Sequence, residues 1–249
     1  FGIGDRSGTG AKNLYRIKLS DSTVIEYGSV IDQNATTGAL THNGITTFRG
    51  RLIYEQQGSI RSNTYTPTAV NDINILFSAL TGSSLVPVSF GLGSDGILYF
   101  NNTQGLGKIV LTTGTTGNTA TAFTFTDTSL FSKAICNDGV YTIFIADNNE
   151  YKVTTANSVC RVFFWDTIKS VADIIYDIPD SYLLGCKYVD GKVMIIGYSG
   201  IWVCNSATPP RLIVPLIVSQ LPDSASAITV QSNTLVWAAK GTGTKVYAY

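Results

Sequence analysis

"GSDGILYF", residues 93–100, sets Ser-Asp-Gly ahead of four apolar residues, and close variants of it return along the chain. "RGRLIY" stands at 49–54, "NDGVYTIF" at 137–144, "VDGKVMII" at 189–196 and "SNTLVWA" at 232–238. An Asp-Gly or Ser-Asn pair between apolar runs signals a two-residue hairpin, because Gly and Asn accept the positive φ that such turns need. The turn residues Gly50, Gly96, Gly139, Gly191 and Asn233 are spaced by 46, 43, 52 and 42 residues. A period in that range belongs to a repeated unit of about four strands.

The residues after each turn are apolar without alternation: Ile97 to Phe100, Val193 to Ile196, and Leu235, Val236 and Trp237. A strand with one wet face would alternate, so these second strands are expected to be covered on both faces. Each unit then continues with a polar loop and a third strand, in "GSIRSNTY" (58–65), "GKIVLTTG" (107–114), "EYKVTTA" (150–156) and "GIWVCNS" (200–206). Outer strands are expected in "INILFSA" (73–79), "AFTFTDT" (122–128), "CRVFFWDT" (160–167) and "RLIVPLI" (211–217). Pro215 lies in the last of these, and proline does least harm to a ladder at an edge.

The two ends share a pattern, since "RSGTGAKNLYRI" (6–17) parallels "KGTGTKVYAY" (240–249). Both read as the loop and third strand of a unit. The chain then enters at a second strand and leaves at a third, with 22 of the 24 strands that six full units would hold. Taken together, these repeats resemble the β-propeller, and the resemblance covers nearly the whole chain. It implies an all-β propeller of about six four-stranded blades, one domain over 1–249, with an irregular or incomplete closure. Five or seven blades are the alternative counts, and a tandem of β-sandwiches is the alternative architecture. No WD dipeptide closes each unit, and neither a kelch double glycine nor a sialidase-type aspartate box repeats. The Asn-, Thr- and Gly-rich composition is most similar to phage and virus tail or spike propellers.

With 44% hydrophobic residues in 249, the chain has ample material for a core. Only 14% of residues are charged, 17 basic against 17 acidic, so no basic field gathers phosphates and nucleic acid is not an expected partner. The longest apolar runs, such as "RLIVPLIV" at 211–218, fall far short of the roughly 20 residues a membrane span requires. No membrane insertion is expected. The chain opens at Phe1 without the pattern of a signal peptide, and the expectation is that what preceded it was removed or belongs to a longer parent. Four cysteines, Cys136, Cys160, Cys186 and Cys204, form no C-x-x-C pair, which leaves buried thiols or one or two disulfides. No bridge is expected between Cys136 and Cys186.

Candidate chemistry is sparse. His42 is the only histidine and sits in a turn-like "THNGI", so neither a catalytic triad nor a multi-histidine metal site is supported. "GTGAK" and "GTGTK" lack the Walker spacing and precede strands. Asp147, Asn148, Asn149 and Glu150 are hard oxygen donors of the kind calcium takes, without the spacing of an EF-hand. Turn chemistry accounts for them, and for Asp95, Asp138 and Asp190, without a metal; no cofactor is expected, calcium being the alternative. Two converging acids for a glycosidase would have to come from Asp147, Glu150, Asp166, Asp173, Asp177 and Asp180. Trp202 and Trp237 lie inside apolar strands and read as core, whereas Trp165, at the end of an outer strand, is the exposed candidate for stacking on a sugar. The stretch 166–182 departs most from the repeat, and Ile168, Val171, Ala172 and Ile175 fall at helical spacing.

If every blade runs up and down in the same order, the loops between second and third strands gather at one end of the ring. They would present Gln56, Gln57, Asn101, Asn102, Asp147, Asn148, Asn149 and Tyr198, a set rich in neutral amide donors and acceptors and suited to glycans or polar protein loops. The expected role is a non-enzymatic virion or extracellular propeller, structural or for attachment to a host receptor. Its partners are other virion or cell-surface proteins, or a host glycan. A carbohydrate-binding or carbohydrate-active propeller is the alternative, and an intracellular peptide-binding scaffold with reduced cysteines is the third reading.

Overall fold

The computed structural model describes residues 2–5, 12–18, 20–21, 23–26, 44–56, 59–64, 74–77, 89–102, 104–111, 117–149, 157–222, 225–239 and 245–249. Among them 22 strands form six antiparallel sheets, each built from consecutive strands. Blade 1 holds β1 (Gly2–Asp5), β2 (Lys12–Lys18) and β3 (Thr23–Glu26). Blade 2 holds β4 (Ile45–Phe48), β5 (Arg51–Gln56), β6 (Ser59–Thr64) and β7 (Asn74–Phe77). Blade 3 comprises β8 (Phe90–Leu92), β9 (Leu98–Asn102), β10 (Gly105–Leu111) and β11 (Gly117–Thr124). Blade 4 is β12 (Phe131–Asn137), β13 (Thr142–Asp147), β14 (Cys160–Trp165) and β15 (Ile174–Ile178), and blade 5 is β16 (Leu183–Val189), β17 (Lys192–Gly197), β18 (Gly200–Asn205) and β19 (Thr208–Pro215). Blade 6 ends the chain with β20 (Ile228–Gln231), β21 (Thr234–Ala239) and β22 (Lys245–Ala248).

This is the β-propeller that the repeat implies, with the expected three-stranded sheet at either end. The first strands β8, β12, β16 and β20 pack successively on one another and so form the inner wall. No strand pairing joins the first sheet to the last among the described residues, in keeping with an irregular closure.

The turns between first and second strands fall where the repeat places them, but not all are two residues long. Arg49 and Gly50, Asp190 and Gly191, and Ser232 and Asn233 all have positive φ, as a two-residue hairpin of matching twist requires. In blades 3 and 4 the register closes at Leu92 with Leu98 and at Asn137 with Thr142, leaving longer loops in which Gly96 and Gly139 alone turn left-handed. Asp95 and Asp138 supply what the longer loops need. Asp95 accepts from the Ile97 amide at 3.0 Å, and Asp138 accepts from the amides of Val140 and Tyr141 at 2.9 and 2.7 Å. Turn composition therefore located these loops without fixing their length.

The second strands of blades 3 to 5 divide their side chains between two neighbours. On β13, Ile143 and Ile145 enter the core shared with blade 5, while Phe144 and Ala146 enter the core shared with blade 3. On β17, Val193 and Ile195 face blade 4, while Met194 and Ile196 face blade 6. Unbroken apolarity is thus the sum of two alternating faces, each buried. All four cysteines lie in the core between blades 4 and 5, buried and as free thiols. At Gly185 on β16 the neighbouring first strand comes so near that a Cβ would stand 2.4 Å from Ile228 Cδ1.

The stretch 166–182 corrects the sequence reading. Cys160–Trp165 pairs with both β13 and β15, so it is the third strand of blade 4, and the outer strand is Ile174–Ile178 within the supposed insertion. "EYKVTTA" at 150–156, expected as the third strand, lies outside the described residues. The helical set fails because three of its four members face water: Ile168 is 89% exposed, Val171 and Ile175 are also exposed, and only Ala172 packs against a core. A period of two wins instead, with Ile174 and Tyr176 half-buried and Ile178 buried on the inward face.

Candidate functional site

At the end of the ring where second strands pass to third strands, polar side chains tie blades together. Asn101, at the end of β9, is buried and donates to the Ser132 carbonyl of blade 4 at 3.1 Å, and its amide oxygen accepts from the Ser89 backbone. Asp147, fully buried, accepts from the Leu183 amide of blade 5 at 2.8 Å and from the Asn149 amide at 2.9 Å, with the Lys133 ammonium at 3.3 Å. Burial holds the Asp147 carboxyl above the ordinary carboxylate range, against the pull of Lys133 and these two amides. Asn149, also buried, donates to the Ser181 carbonyl at 2.6 Å, which joins blade 4 to the entry of blade 5.

The other members of the expected recognition face are placed differently. Asn148 is half-buried and closes its own loop, accepting from Val159 at 2.9 Å and donating to the Asn157 carbonyl at 3.0 Å. Asn102 and Tyr198 are half-buried, the latter with its ring 5.2 Å from Tyr182. Gln56 ends β5; Gln57, His42 and Glu150 lie outside the described residues, as do both GTG loops.

Trp165 requires correction. It is 2% exposed, because it ends a third strand rather than an outer one; its ring packs edge-on against Phe123 and Tyr99, at 5.3 and 5.8 Å. Its indole N–H donates to the Lys169 carbonyl at 2.7 Å. The loop acids are likewise engaged. Asp180 accepts from the Ser199 hydroxyl at 3.0 Å, the Ser181 amide at 2.7 Å and the Trp202 indole at 2.8 Å. Asp166 and Asp173 both pair with Lys169, and Asp177 pairs with Arg161 at 2.9 Å.

The opposite end, where the first-to-second turns lie, holds a recess of about 620 Å³ at the mouth of the channel. That volume is within the range of small-molecule sites. The first strands of blades 2 to 5 form its wall, which brings Thr46, Leu92, Asn137 and Lys187 from four different blades to one cavity. Arg49 and Tyr188 complete the rim, and Leu92 and Tyr188 are 47% and 38% exposed. Asn137 is engaged with its own wall, donating to the Leu92 carbonyl at 2.8 Å. Nothing in the sequence reading singled out these residues. The signal within reach was that the first strands carry Thr46 and Thr47, Asn137, or Lys187 and Tyr188 just before the turn, where the second strands are apolar.

No protein-family model matches the chain, and no curated protein matches it in sequence. Among solved structures, it is similar to virginiamycin B lyase from Staphylococcus aureus, with a TM-score of 0.57 and 18% identity over 92% of this chain and 71% of that one. It is similar also to the computationally designed Ika8 protein, with a TM-score of 0.50 and 16% identity, covering 90% of this chain and 64% of that one. The chain thus spans less than two thirds of the designed protein's length. BamB from Moraxella catarrhalis aligns over 100% of this chain and 68% of that one with 13% identity and a TM-score of 0.48. At such identities the likeness to the first two establishes the fold alone, a β-propeller, and the activity named for the lyase remains that protein's own.

Proposed function

We propose that this chain is a non-enzymatic propeller module of a virion or extracellular surface, serving attachment to a host receptor or a structural contact. The observation that supports it is the division of labour between the two ends of the ring. One end uses its polar groups to tie blades together, and the other opens a concave recess whose wall is drawn from four blades. A rigid ring with a recess at its axis favours holding a ligand over transforming one, since the loop acids named above are engaged with internal partners. The Asn-, Thr- and Gly-rich composition supports the surface setting.

The test is saturable binding of the labelled chain to host cells or virion proteins, run beside hydrolysis of chromogenic glycosides. Binding without turnover is expected; hydrolysis that disappears on replacing Asp166 or Asp173 would establish a carbohydrate-active enzyme instead. The four free thiols are the one feature that favours the peptide-binding scaffold, and absence of surface binding together with capture of extended peptides would establish it.

A further inference from the structure

Lys187 is half-buried in the wall of the channel mouth, and it makes no hydrogen bond or ion pair among the described residues. Arg49 stands at the rim, with its guanidinium carbon over the Phe48 ring, 5.1 Å from the centroid. A cation–π contact occupies none of the guanidinium N–H donors in a hydrogen bond to an oxygen, and the planar fork matches a carboxylate. Among the described residues, the lining of the recess therefore holds two cations and no carboxylate. Of the turn acids, Asp95 is engaged with the Tyr99 hydroxyl at 2.7 Å and Asp138 with two backbone amides, and Asp190, in the turn after Tyr188, lies outside the lining.

The rest of the lining narrows the ligand further. Thr46 and Thr47 contribute hydroxyl groups, and Tyr188 and Leu92 present exposed apolar surface at the edge. An anion alone would leave those faces unused. A compact ligand with one negative charge, several hydroxyls and an apolar C–H face would engage all of them. We infer that the channel mouth is a binding site for an acidic sugar, a saccharide carrying a carboxylate, with Lys187 and Arg49 holding the charge and Tyr188 packing against the ring. This deepens the attachment reading and rests on it only for the sugar's source.

The test is titration of the whole chain with D-glucuronate, D-glucose and a short poly-glutamate peptide, followed by amide shifts or calorimetry. Glucuronate should bind about tenfold or more tightly than glucose, and Lys187→Met or Arg49→Gln should each weaken it about tenfold, one charge-assisted hydrogen bond's worth. Lys245→Met, an exposed lysine on blade 6 and away from the recess, should leave binding unchanged, with the melting temperature of every variant intact. Equal affinity for the two sugars, no effect of Lys187→Met, or tighter binding of the peptide through the same residues would overturn the inference. If neither sugar binds while attachment to cells persists, this inference falls and the attachment reading stands. Uronate binding through Lys187 without attachment to cells leaves the reverse.

Discussion

β17 and β21 occupy the same place in blades 5 and 6 and look alike in sequence, yet they are buried differently. From Val193 to Gly197 every residue of β17 is buried, whereas on β21 Leu235, Trp237 and Ala239 are buried and Thr234, Val236 and Ala238 are only half covered. Blade 5 is packed on both faces; among the described residues, blade 6 shares a core only with blade 5. The number of buried faces on a second strand thus reports how many blades flank it. "TLVWA" carries the apolar run of an inner blade while sitting at the end of the series.

The largest effect should come from the doubly packed strand. Phe144 is fully buried, stacked on Phe163 at 4.9 Å and in edge contact with Phe123, and Phe144→Ala should cost about 3–5 kcal/mol by urea unfolding. A cost below that of a surface substitution would refute the two-sided packing. Next, Asp180→Ala strips acceptors from the Trp202 indole and from the Ser199 amide and hydroxyl, and should cost about 2–4 kcal/mol. Asp180→Asn should recover part of this. Gly139, at φ 90 with open space around its missing Cβ, separates backbone strain from packing; Gly139→Val should cost about 1–3 kcal/mol through strain alone.

Asp147 offers a finer comparison through pH. Its carboxyl titrates above the ordinary 3.8 when folded, so the native state binds that proton more tightly than the unfolded chain. The stabilisation from this group is present below the unfolded value and is lost as pH rises through the folded one. Denaturation midpoints of Asp147→Asn should lack that fall in this window, measured against the parent chain. Smallest of all, Val236→Thr on the half-covered face of β21 should change stability by no more than about 0.5 kcal/mol. A loss as large as that of a buried valine would show that a further element covers that face.

The fold was legible because turn chemistry and unbroken apolarity repeat together, and both are local properties of the chain. Strand identity inside blade 4 was not legible. Ile168, Val171 and Ile175 mimic a helical stripe, and only pairing with β14 shows that Ile174, Tyr176 and Ile178 set the true period. Asn101, Asp147 and Asn149 were recognised as a polar group at one end of the ring, but whether such groups meet solvent or the next blade depends on contacts 31 to 36 residues away. Lys187 and Arg49 were passed over for the same reason: their meeting at one recess depends on four blades closing around an axis.

The confinement of every cysteine to the core between blades 4 and 5 makes that seam chemically distinguishable from the others. Burial pushes the Cys204 thiol up to about 12, and the neighbouring Cys186 thiol, with burial, raises that of Cys136. In the closed state such thiols are poor nucleophiles and are screened from reagents. Alkylation at neutral pH must then wait for the two blades to part. Its rate, divided by that of an exposed thiol, reports the population of that one opened seam. The cores of the other seams contain no cysteine among their described residues and remain silent in the same experiment.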